Sequence, residues 1–262
     1  MRVALMIEGQ EGVTWPQWVA LARAAEQAGL DALFRSDHFR SITRGDPAGA
    51  LDAWGTICGL AAVTATIRLG TLVSPVTFRH PSVLAKLVTT ADHISGGRVD
   101  LGIGAGWYEA EHEAYGFDFG TSKARLDELD RQLAEIVRQW TEADEVWPKP
   151  VQRPRPPIIV GGRGKPRTIA AAVAHADEYN TFAATVAEAR ERKLRVDEAA
   201  AHAGRDPLRF SVMTSAGGSA HELEERLRAY ADAGAERVML QHLEHEDVER
   251  VAVLGEIAAR LR

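Results

Sequence analysis

Short apolar runs, many of them β-branched, alternate with longer amphipathic stretches along all 262 residues of the chain. The first pair shows the pattern, because residues 3–7 are apolar and residues 15–28 carry apolar side chains at helical spacing. Gly29 follows directly, as glycine often does where a helix ends. Such an alternation is typical of βα units that build a parallel sheet.

The pattern repeats eight times, and about 250 residues in eight βα units suit a (β/α)8 barrel. We therefore predict an α/β fold in which residues 1–262 form a single (β/α)8 TIM barrel domain with few insertions. The predicted strands are residues 3–7, 32–35, 67–73, 99–104, 157–160, 178–182, 210–214 and 237–241. The predicted helices are residues 15–28, 51–64, 81–94, 122–142, 167–175, 186–203, 220–233 and 247–261.

Two other arrangements fit the sequence less well. A doubly wound open sheet that binds a dinucleotide is disfavoured, because residues 8–12 after the first strand lack the GxGxxG pattern. The proline-rich residues 146–157 could form a linker between two domains. The same strand–helix rhythm continues beyond them, however, which favours a loop within one barrel.

Composition excludes some classes of partner. The net charge of −6 argues against general binding of nucleic acid or of an anionic membrane, since both need a clustered basic face. Cys58 is the only cysteine, so no internal disulfide can form and a cytoplasmic location is expected. The N-terminal apolar stretch is too short for a signal peptide. These features favour a small-molecule substrate.

In a barrel, functional residues stand where the strands end. Polar residues and glycines occupy these places: Ser36-Asp37-His38 after the second strand, Gly104 to Trp107 after the fourth, Gly161-Gly162 after the fifth and Asn180 on the sixth. We expect His112, His242 and His245 at surface or loop positions, and the scattered histidines predict no catalytic metal. No GxSxG motif indicates a serine hydrolase.

Several segments together resemble the luciferase-like monooxygenases, although any one of them would be unspecific. The resemblance runs from the first helix to about Asn180. It rests on residues 25–31 (AEQAGLD), 36–39 (SDHF), 60–73 (LAAVTATIRLGTLV), 79–81 (RHP), 90–98 (TADHISGGR), 102–107 (GIGAGW), 146–150 (VWPKP) and 158–162 (IIVGG).

The resemblance implies a (β/α)8 barrel that holds reduced FMN or the deazaflavin coenzyme F420 in its mouth. The short chain looks most like the F420-dependent oxidoreductases, with a non-prolyl cis peptide at about Leu72-Val73 below the ring. It implies catalytic roles for His38 and Asp37, where the histidine accepts or donates a proton. The implied cofactor-binding residues are Ser36, Asp37, His38, Thr71, Leu72, Val73, Gly104, Ala105, Gly106, Trp107, Val160, Gly161, Gly162 and Asn180.

Gly161 and Gly162 would offer backbone N–H groups to the cofactor phosphate. The cations Arg163, Lys165 and Arg167 follow at once. Arg79 and His80 could add further polar contacts to the cofactor.

One position departs from the family. Sugar-phosphate dehydrogenases of the F420 branch carry a catalytic glutamate directly after Gly-x-Gly, where this chain has Trp107. We therefore expect a different substrate, with Trp107 as an apolar wall, while Glu109 and Glu111 could be helix N-terminal carboxylates.

The alternatives to F420-dependent hydride transfer are an FMN-dependent monooxygenase with a separate reductase and a non-catalytic flavin-binding barrel. Relatives often dimerise, so a homodimer is one state to expect.

Overall fold

The computed structural model describes residues 1–45, 48–183 and 185–262 of the chain. The predicted strands and helices are present, and their ends differ from the prediction by a residue or two. A short helix at residues 109–115, after the fourth barrel strand, is additional. The strands are β1 (Arg2–Ile7), β2 (Ala32–Arg35), β3 (Arg68–Thr71), β4 (Ser74–Pro75), β5 (Val99–Gly104), β6 (Ile158–Gly161), β7 (Glu178–Phe182), β8 (Arg209–Ser215) and β9 (Arg237–His242). The helices are α1 (Trp15–Gln27), α2 (Ala53–Val63), α3 (Pro81–Ser95), α4 (Glu109–Tyr115), α5 (Ser122–Thr141), α6 (Pro166–His175), α7 (Val186–His202), α8 (Ala220–Asp232) and α9 (Glu249–Arg260).

The strands close into a barrel. Their order is β3-β2-β1-β9-β8-β7-β6-β5-β4, and β3 also pairs with β5, which completes the ring. All of these pairings are parallel. Since β3 and β4 share the third position, the ring has eight positions and confirms the predicted (β/α)8 barrel.

Alternate residues of the strands face the barrel interior, because successive side chains point to opposite faces. The inner cluster includes Ala4, Met6, Phe34, Ile159 and Met239. Their neighbours along the strands, such as Leu5, Val160 and Leu240, pack outward against the helices. This alternation fixes which strand-end residues can reach the mouth.

A buried ion-pair network lies at the amino-terminal end of the barrel. The Arg237 guanidinium, 2% exposed, is 3.1 Å from carboxylate oxygens of both Asp31 and Asp100, and 3.6 Å from one of Glu178. Arg68 also pairs with Asp100. The network closes the end of the barrel opposite the mouth.

The third barrel position differs from the continuous strand that we predicted over residues 67–73. The peptide bond between Leu72 and Val73 is cis, as the family resemblance led us to expect. The pairing with β2 ends at Thr71, and a second short segment pairs with β5 from Ser74 onward. The prediction was wrong in its last two residues, because the backbone at Leu72 and Val73 lies outside the sheet.

Glycines on the adjacent strands make room for this turn. A Cβ on Gly102 would collide with the carbonyl oxygen of Thr71. A Cβ on Gly104 would lie 2.7 Å from Val73 Cγ2, and one on Gly161 would lie 3.0 Å from Val73 Cγ1. The glycines at the ends of β5 and β6 thus allow Val73 to occupy the mouth.

The proline-rich residues 146–157 connect α5 to β6 of the same barrel. The buried Asp92 carboxylate accepts the N–H groups of Val151 and Gln152 at 2.6 and 3.0 Å. The Lys149 ammonium donates to the carbonyl oxygens of Gln139 and Ala143 at the end of α5. These contacts dock the segment onto the helical layer, as expected for a loop rather than a linker.

Glu11 organises the loop that follows β2. Its carboxylate accepts the N–H groups of Ile42 and Arg44 at 2.9 and 3.0 Å and the Ser41 hydroxyl at 2.7 Å. Burial disfavours the charged form, but these donors outweigh it and lower the pKa of Glu11 to about 2. A buried carboxylate thus holds the loop at the barrel mouth.

We expect Gly102→Ala to destabilise the fold by about 1–3 kcal/mol, because the new methyl group would overlap the Thr71 carbonyl in a close-packed wall. Gly55→Ala is the control: Gly55 is exposed on α2, and its Cβ would meet only Asp52 at van der Waals distance. The control should stabilise the protein by up to about 1 kcal/mol. Urea unfolding measures both, and equal free energies of unfolding for the two variants would contradict this account.

Glu11→Gln should lower the free energy of unfolding at pH 7 by roughly 1–3 kcal/mol. The folded-state pKa of about 2 lies below the ordinary value of 4.5, so the wild-type advantage is complete above pH 4.5 and disappears as pH falls toward 2. Denaturant titrations at several pH values measure this difference. Glu113→Gln, a substitution at an exposed site, should show no such pH-dependent difference. If the difference in free energy of unfolding between wild type and Glu11→Gln did not change with pH, the lowered pKa of Glu11 would be refuted.

Candidate active site

Five partly exposed residues lie at the carboxyl end of the barrel, where the inward-facing positions of the strands continue. Glu8 follows Met6 by two residues, Gln241 follows Met239, and Gly161 follows Ile159. Val73 and Met213 pack on the inner cluster from above. The mouth therefore has an apolar floor at Val73 and Met213 beside a polar edge at Glu8 and Gln241.

Hydrogen bonds fix that polar edge. The Gln241 amide donates to Glu8 Oε1 at 2.6 Å, and the Gln10 amide donates to Glu8 Oε2 at 3.0 Å. The Ser36 hydroxyl donates to Gln10 Oε1 at 2.5 Å and accepts the Gly9 N–H at 2.9 Å. Ser36 is buried, and its side chain supports Glu8 indirectly, through the Gln10 amide.

His38 is paired with a buried carboxylate. His38 Nδ1 lies 2.6 Å from Glu111 Oε1, and the second oxygen of Glu111 accepts the N–H of Phe39 at 3.0 Å. The side chain of Glu111 is 1% exposed and that of His38 is 16% exposed. Because a carboxylate only accepts hydrogen bonds, Nδ1 carries the proton and Nε2 is the nitrogen left for a ligand.

The surroundings of His38 favour its charged form. Burial alone would lower the pKa of His38, but the hydrogen bond and charge of Glu111, with smaller contributions from Glu8 and Asp37, outweigh it. The pKa of His38 is therefore raised above its ordinary value. A protonated imidazole can donate a proton from Nε2.

Asp37 is held in an ion pair below the mouth. The Arg79 guanidinium donates to Asp37 Oδ2 at 2.6 Å and to Asp52 at 2.6 Å, and the Ser74 hydroxyl donates to Asp37 Oδ2 at 2.6 Å. Asp37 is 1% exposed. Its carboxylate joins the β2 loop to the turn after β4, and we therefore interpret Asp37 as a structural support for His38. Arg79, expected near the cofactor, serves this ion pair.

Aromatic rings form a wall beside His38. Trp107 is 62% exposed and stacks on Tyr108 with ring centroids 5.4 Å apart. The imidazole of His38 lies edge-on to Trp107 at 5.7 Å. The geometry suits the apolar wall expected at Trp107, and its contact with cofactor or substrate stays a prediction.

Two histidines expected on the surface or in loops are buried in regular structure. His112, on α4, is 1% exposed: its Nδ1 is 2.7 Å from the Tyr108 carbonyl oxygen, and its Nε2 is 2.6 Å from the Thr77 hydroxyl. His242 ends β9, with Nε2 3.0 Å from the Asp247 carbonyl oxygen. The expectation was wrong for both, because single residues in polar stretches give no sign of burial.

His245 does lie in a loop, as expected, but it is also buried. Burial, together with the nearby charges of Arg44 and His242, lowers its pKa to about 4.

The predicted site residues fall into two groups. Those that are at least partly exposed around the mouth are His38, Val73, Ala105, Gly106, Trp107, Gly161 and Gly162. Those that are buried behind it are Ser36, Asp37, Thr71, Leu72, Gly104, Val160 and Asn180. In the second group, Thr71 donates its hydroxyl to the Gly102 carbonyl, Val160 faces the helices, and the Asn180 amide donates to Ser211 inside the barrel.

The predicted phosphate loop has fewer free donors than expected. The Gly162 N–H already donates to the Asn180 carbonyl at 2.9 Å, and the Gly164 N–H donates to the Tyr179 hydroxyl at 2.8 Å. Arg167 pairs with Asp127 and Asp130 at 2.7 and 3.2 Å. The exposed cations Arg163 and Lys165 are better placed than Gly162 for an anion here, and phosphate binding stays a prediction.

The described part of the mouth fits a flat ring. The apolar floor can carry one ring face, the glycines of β5 and β6 keep side chains off that floor, and His38 and Trp107 stand beside it.

No group of three or more His, Cys, Asp or Glu side chains that could hold a metal ion occurs among the described residues. None of the helices found in them is long and apolar enough to cross a membrane.

Sequence reasoning missed the partner of His38, and it assigned no role to the polar edge of the mouth. Glu111 stands 73 positions from His38. It lies in the first turn of α4, in agreement with the helix N-terminal place considered for it, but that placement does not indicate a contact with His38. The signal for Glu8 and Gln241 was available, because both continue the inward alternation of their strands by one more step. No pattern in the sequence pairs Glu111 with His38.

Comparison with known proteins gives relatives that span two cofactor classes. An uncharacterised protein of Mycobacterium tuberculosis is 29% identical over 92% of this chain and 93% of its own length. An F420-dependent glucose-6-phosphate dehydrogenase of Amycolatopsis mediterranei is 34% identical over 47% of this chain and 37% of its own. The oxygenase component of a flavin-dependent trigonelline monooxygenase of Acinetobacter baylyi is 30% identical over 57% of this chain and 43% of its own.

The fold matches solved structures as well. An F420-dependent secondary alcohol dehydrogenase bound to an F420–acetone adduct superposes with a TM-score of 0.84, at 16% identity, over 100% of this chain and 99% of that one. The sequence profile described as luciferase-like monooxygenase matches residues 2–261. This match shows that the chain belongs to the luciferase-like monooxygenase family.

Proposed function

We propose that the chain is an oxidoreductase that transfers a hydride between coenzyme F420 and a small organic substrate, with His38 handling the proton. The observation that carries this proposal is the His38–Glu111 pair at the mouth, where Nδ1 is bound to a carboxylate and Nε2 is left for a ligand. Family membership and the F420-dependent relative support the choice of cofactor.

The residues of the mouth would divide the work. Val73 and Met213 would support the ring, while Trp107 and Tyr108 would exclude water from one side of the substrate. Bound F420 would supply hydride chemistry at a carbon centre. His38 Nε2 would donate a proton to the substrate or accept one from it. Glu8, held by Gln10 and Gln241, would place a fixed negative charge near the imidazole.

A flavin-dependent monooxygenase is the second candidate. The trigonelline monooxygenase relative covers more of this chain than the glucose-6-phosphate dehydrogenase relative does. As a monooxygenase, this protein would use FMN that a separate reductase has reduced, and it would insert oxygen into the substrate. The apolar floor and aromatic wall suit either ring, so the choice depends on binding and product analysis.

Titration of the purified protein with F420 and with FMN, followed by fluorescence or calorimetry, should give micromolar binding of F420 and weaker binding of FMN. We expect this preference because the short chain resembles the F420 branch. Micromolar FMN binding without any response to F420 would overturn the cofactor assignment. Oxygenated product, formed when FMN and a reductase are supplied, would then establish the monooxygenase.

His38→Gln should lower kcat about 10²–10⁴-fold for any substrate that wild-type protein reduces with F420, because it removes the proton donor. The raised pKa of His38 means that the wild-type rate is full at low pH and falls as pH rises through that pKa. The pH–rate profile of the His38→Gln variant should lack this fall. His221→Ala, at an exposed site on α8, is the control.

A panel of small ketones, aldehydes and enones, followed by the visible absorbance of the cofactor, provides the assay. Full activity of the His38→Gln variant would remove His38 from the mechanism. Cofactor binding without turnover of any substrate would favour a barrel that only binds flavin.

A further inference from the structure

We propose that Glu111 is a positioning residue that fixes the tautomer and charge of His38, so that the site works as a proton donor in reduction. This inference rests on the proposed function, and it adds a residue that replaces the carboxylate missing at Trp107. The substrate class that follows is a polarised carbonyl, imine or conjugated carbon–carbon double bond.

Both oxygens of Glu111 are used at the site. Oε1 is 2.6 Å from His38 Nδ1, and Oε2 accepts the N–H of Phe39, the next residue along the chain. These two contacts hold the ring and its backbone together, so His38 cannot rotate without breaking the pair. The carboxylate is 1% exposed, which leaves its charge little screened by water.

The helix that carries Glu111 is itself held in place. His112, the next residue, bridges the Tyr108 carbonyl oxygen and the Thr77 hydroxyl. Its ring also packs edge-on against Phe119, with centroids 4.7 Å apart. Glu111 is therefore presented from a rigid support rather than from a mobile side chain on the surface. Its neighbours Glu109 and Glu113 are exposed and do not reach His38.

This arrangement leaves one chemical role for the imidazole of His38. With Nδ1–H donated to Glu111, the described residues provide no hydrogen-bond partner for Nε2, and the imidazole lies edge-on to the exposed Trp107 ring. In reduction, the substrate carbon gains a hydride from the reduced cofactor and the other atom of the double bond gains the Nε2 proton. The substrate gains two hydrogens, the cofactor is left oxidised, and neutral His38 recovers its proton from water.

The location of the carboxylate distinguishes this site from that of the sugar-phosphate dehydrogenases. There, the resemblance places a glutamate directly after Gly-x-Gly, and here that position is Trp107. In this chain the carboxylate that contacts His38 is Glu111, four residues after Trp107. This carboxylate supports a cationic donor, while the exposed Trp107 ring beside His38 favours an uncharged, apolar substrate.

Glu111→Gln tests the pair without the cofactor. The glutamine oxygen can still accept the Phe39 N–H, but the glutamine NH2 group can only donate a hydrogen bond to His38 Nδ1. We therefore expect the neutral tautomer to invert, so that Nε2 carries the proton, and the charged form to be lost at lower pH than in wild type. Nitrogen-15 NMR of histidine-labelled protein measures both properties, with His38→Gln to assign the signal.

Glu113→Gln, an exposed site on the same helix, is the matched control and should leave the His38 signals unchanged. Glu111→Asp should restore part of the wild-type titration, because it keeps the charge on a shorter side chain. A His38 tautomer and titration that are the same in wild type and in Glu111→Gln would overturn the proposal. That result would not depend on whether F420 or FMN binds.

A kinetic measurement then separates this inference from the proposed function. Glu111→Gln should lower kcat for reduction at least about tenfold and move the pH limb of kcat to lower pH, with KM little changed. If NMR shows the inverted tautomer but kcat is unaffected, the pair exists and the proton-donor role of His38 is wrong. If NMR shows no change, the positioning role of Glu111 is wrong, whatever the activity.

Discussion

Successive side chains of a strand point to opposite sides of the barrel wall, and the parallel direction of all strands brings their carboxyl ends to one rim. The site depends on these two constraints. Met6, Ile159 and Met239 fill the interior, and the next inward positions on the same strands become the edge of the mouth. Glu8 and Gln241 meet there although 233 positions separate them in the chain. Because close packing below leaves no room for these polar groups, they can lie only at the open end.

The mouth also depends on where the backbone leaves that regular pattern. At Leu72-Val73 the chain turns out of register, and Val73 enters the space that Gly104 and Gly161 leave free. Three carboxylates then secure the loops around this point. Glu11 holds the loop after β2, Asp37 joins that loop to the turn after β4 through Arg79 and Ser74, and Glu111 joins it to α4. Each of these three carboxylates thus has hydrogen-bond donors from another segment of the chain.

The Ser36-Asp37-His38 motif combines one partly exposed side chain with two buried ones. The three residues are adjacent in sequence, yet Ser36 and Asp37 are bound from below and only His38 is partly exposed. In the proposed function the motif therefore supplies one chemical group, His38, and two supporting groups. Glu111, which contacts His38, comes from a helix whose seven residues are too few to give a clear periodic signal.

The order of strands and helices, the barrel and the family could all be predicted from the sequence, because hydrophobic periodicity and local motifs are properties of neighbouring residues. The place of the cis peptide followed from the family resemblance. The strand ends at His38, Trp107 and the glycines of β5 and β6 were also predictable. The sequence did not indicate that Glu111 contacts His38, that His112 is buried, or that Gly162 already donates its N–H. These facts depend on which side chains meet across the rim, and such contacts between distant segments leave no periodic trace in a single sequence.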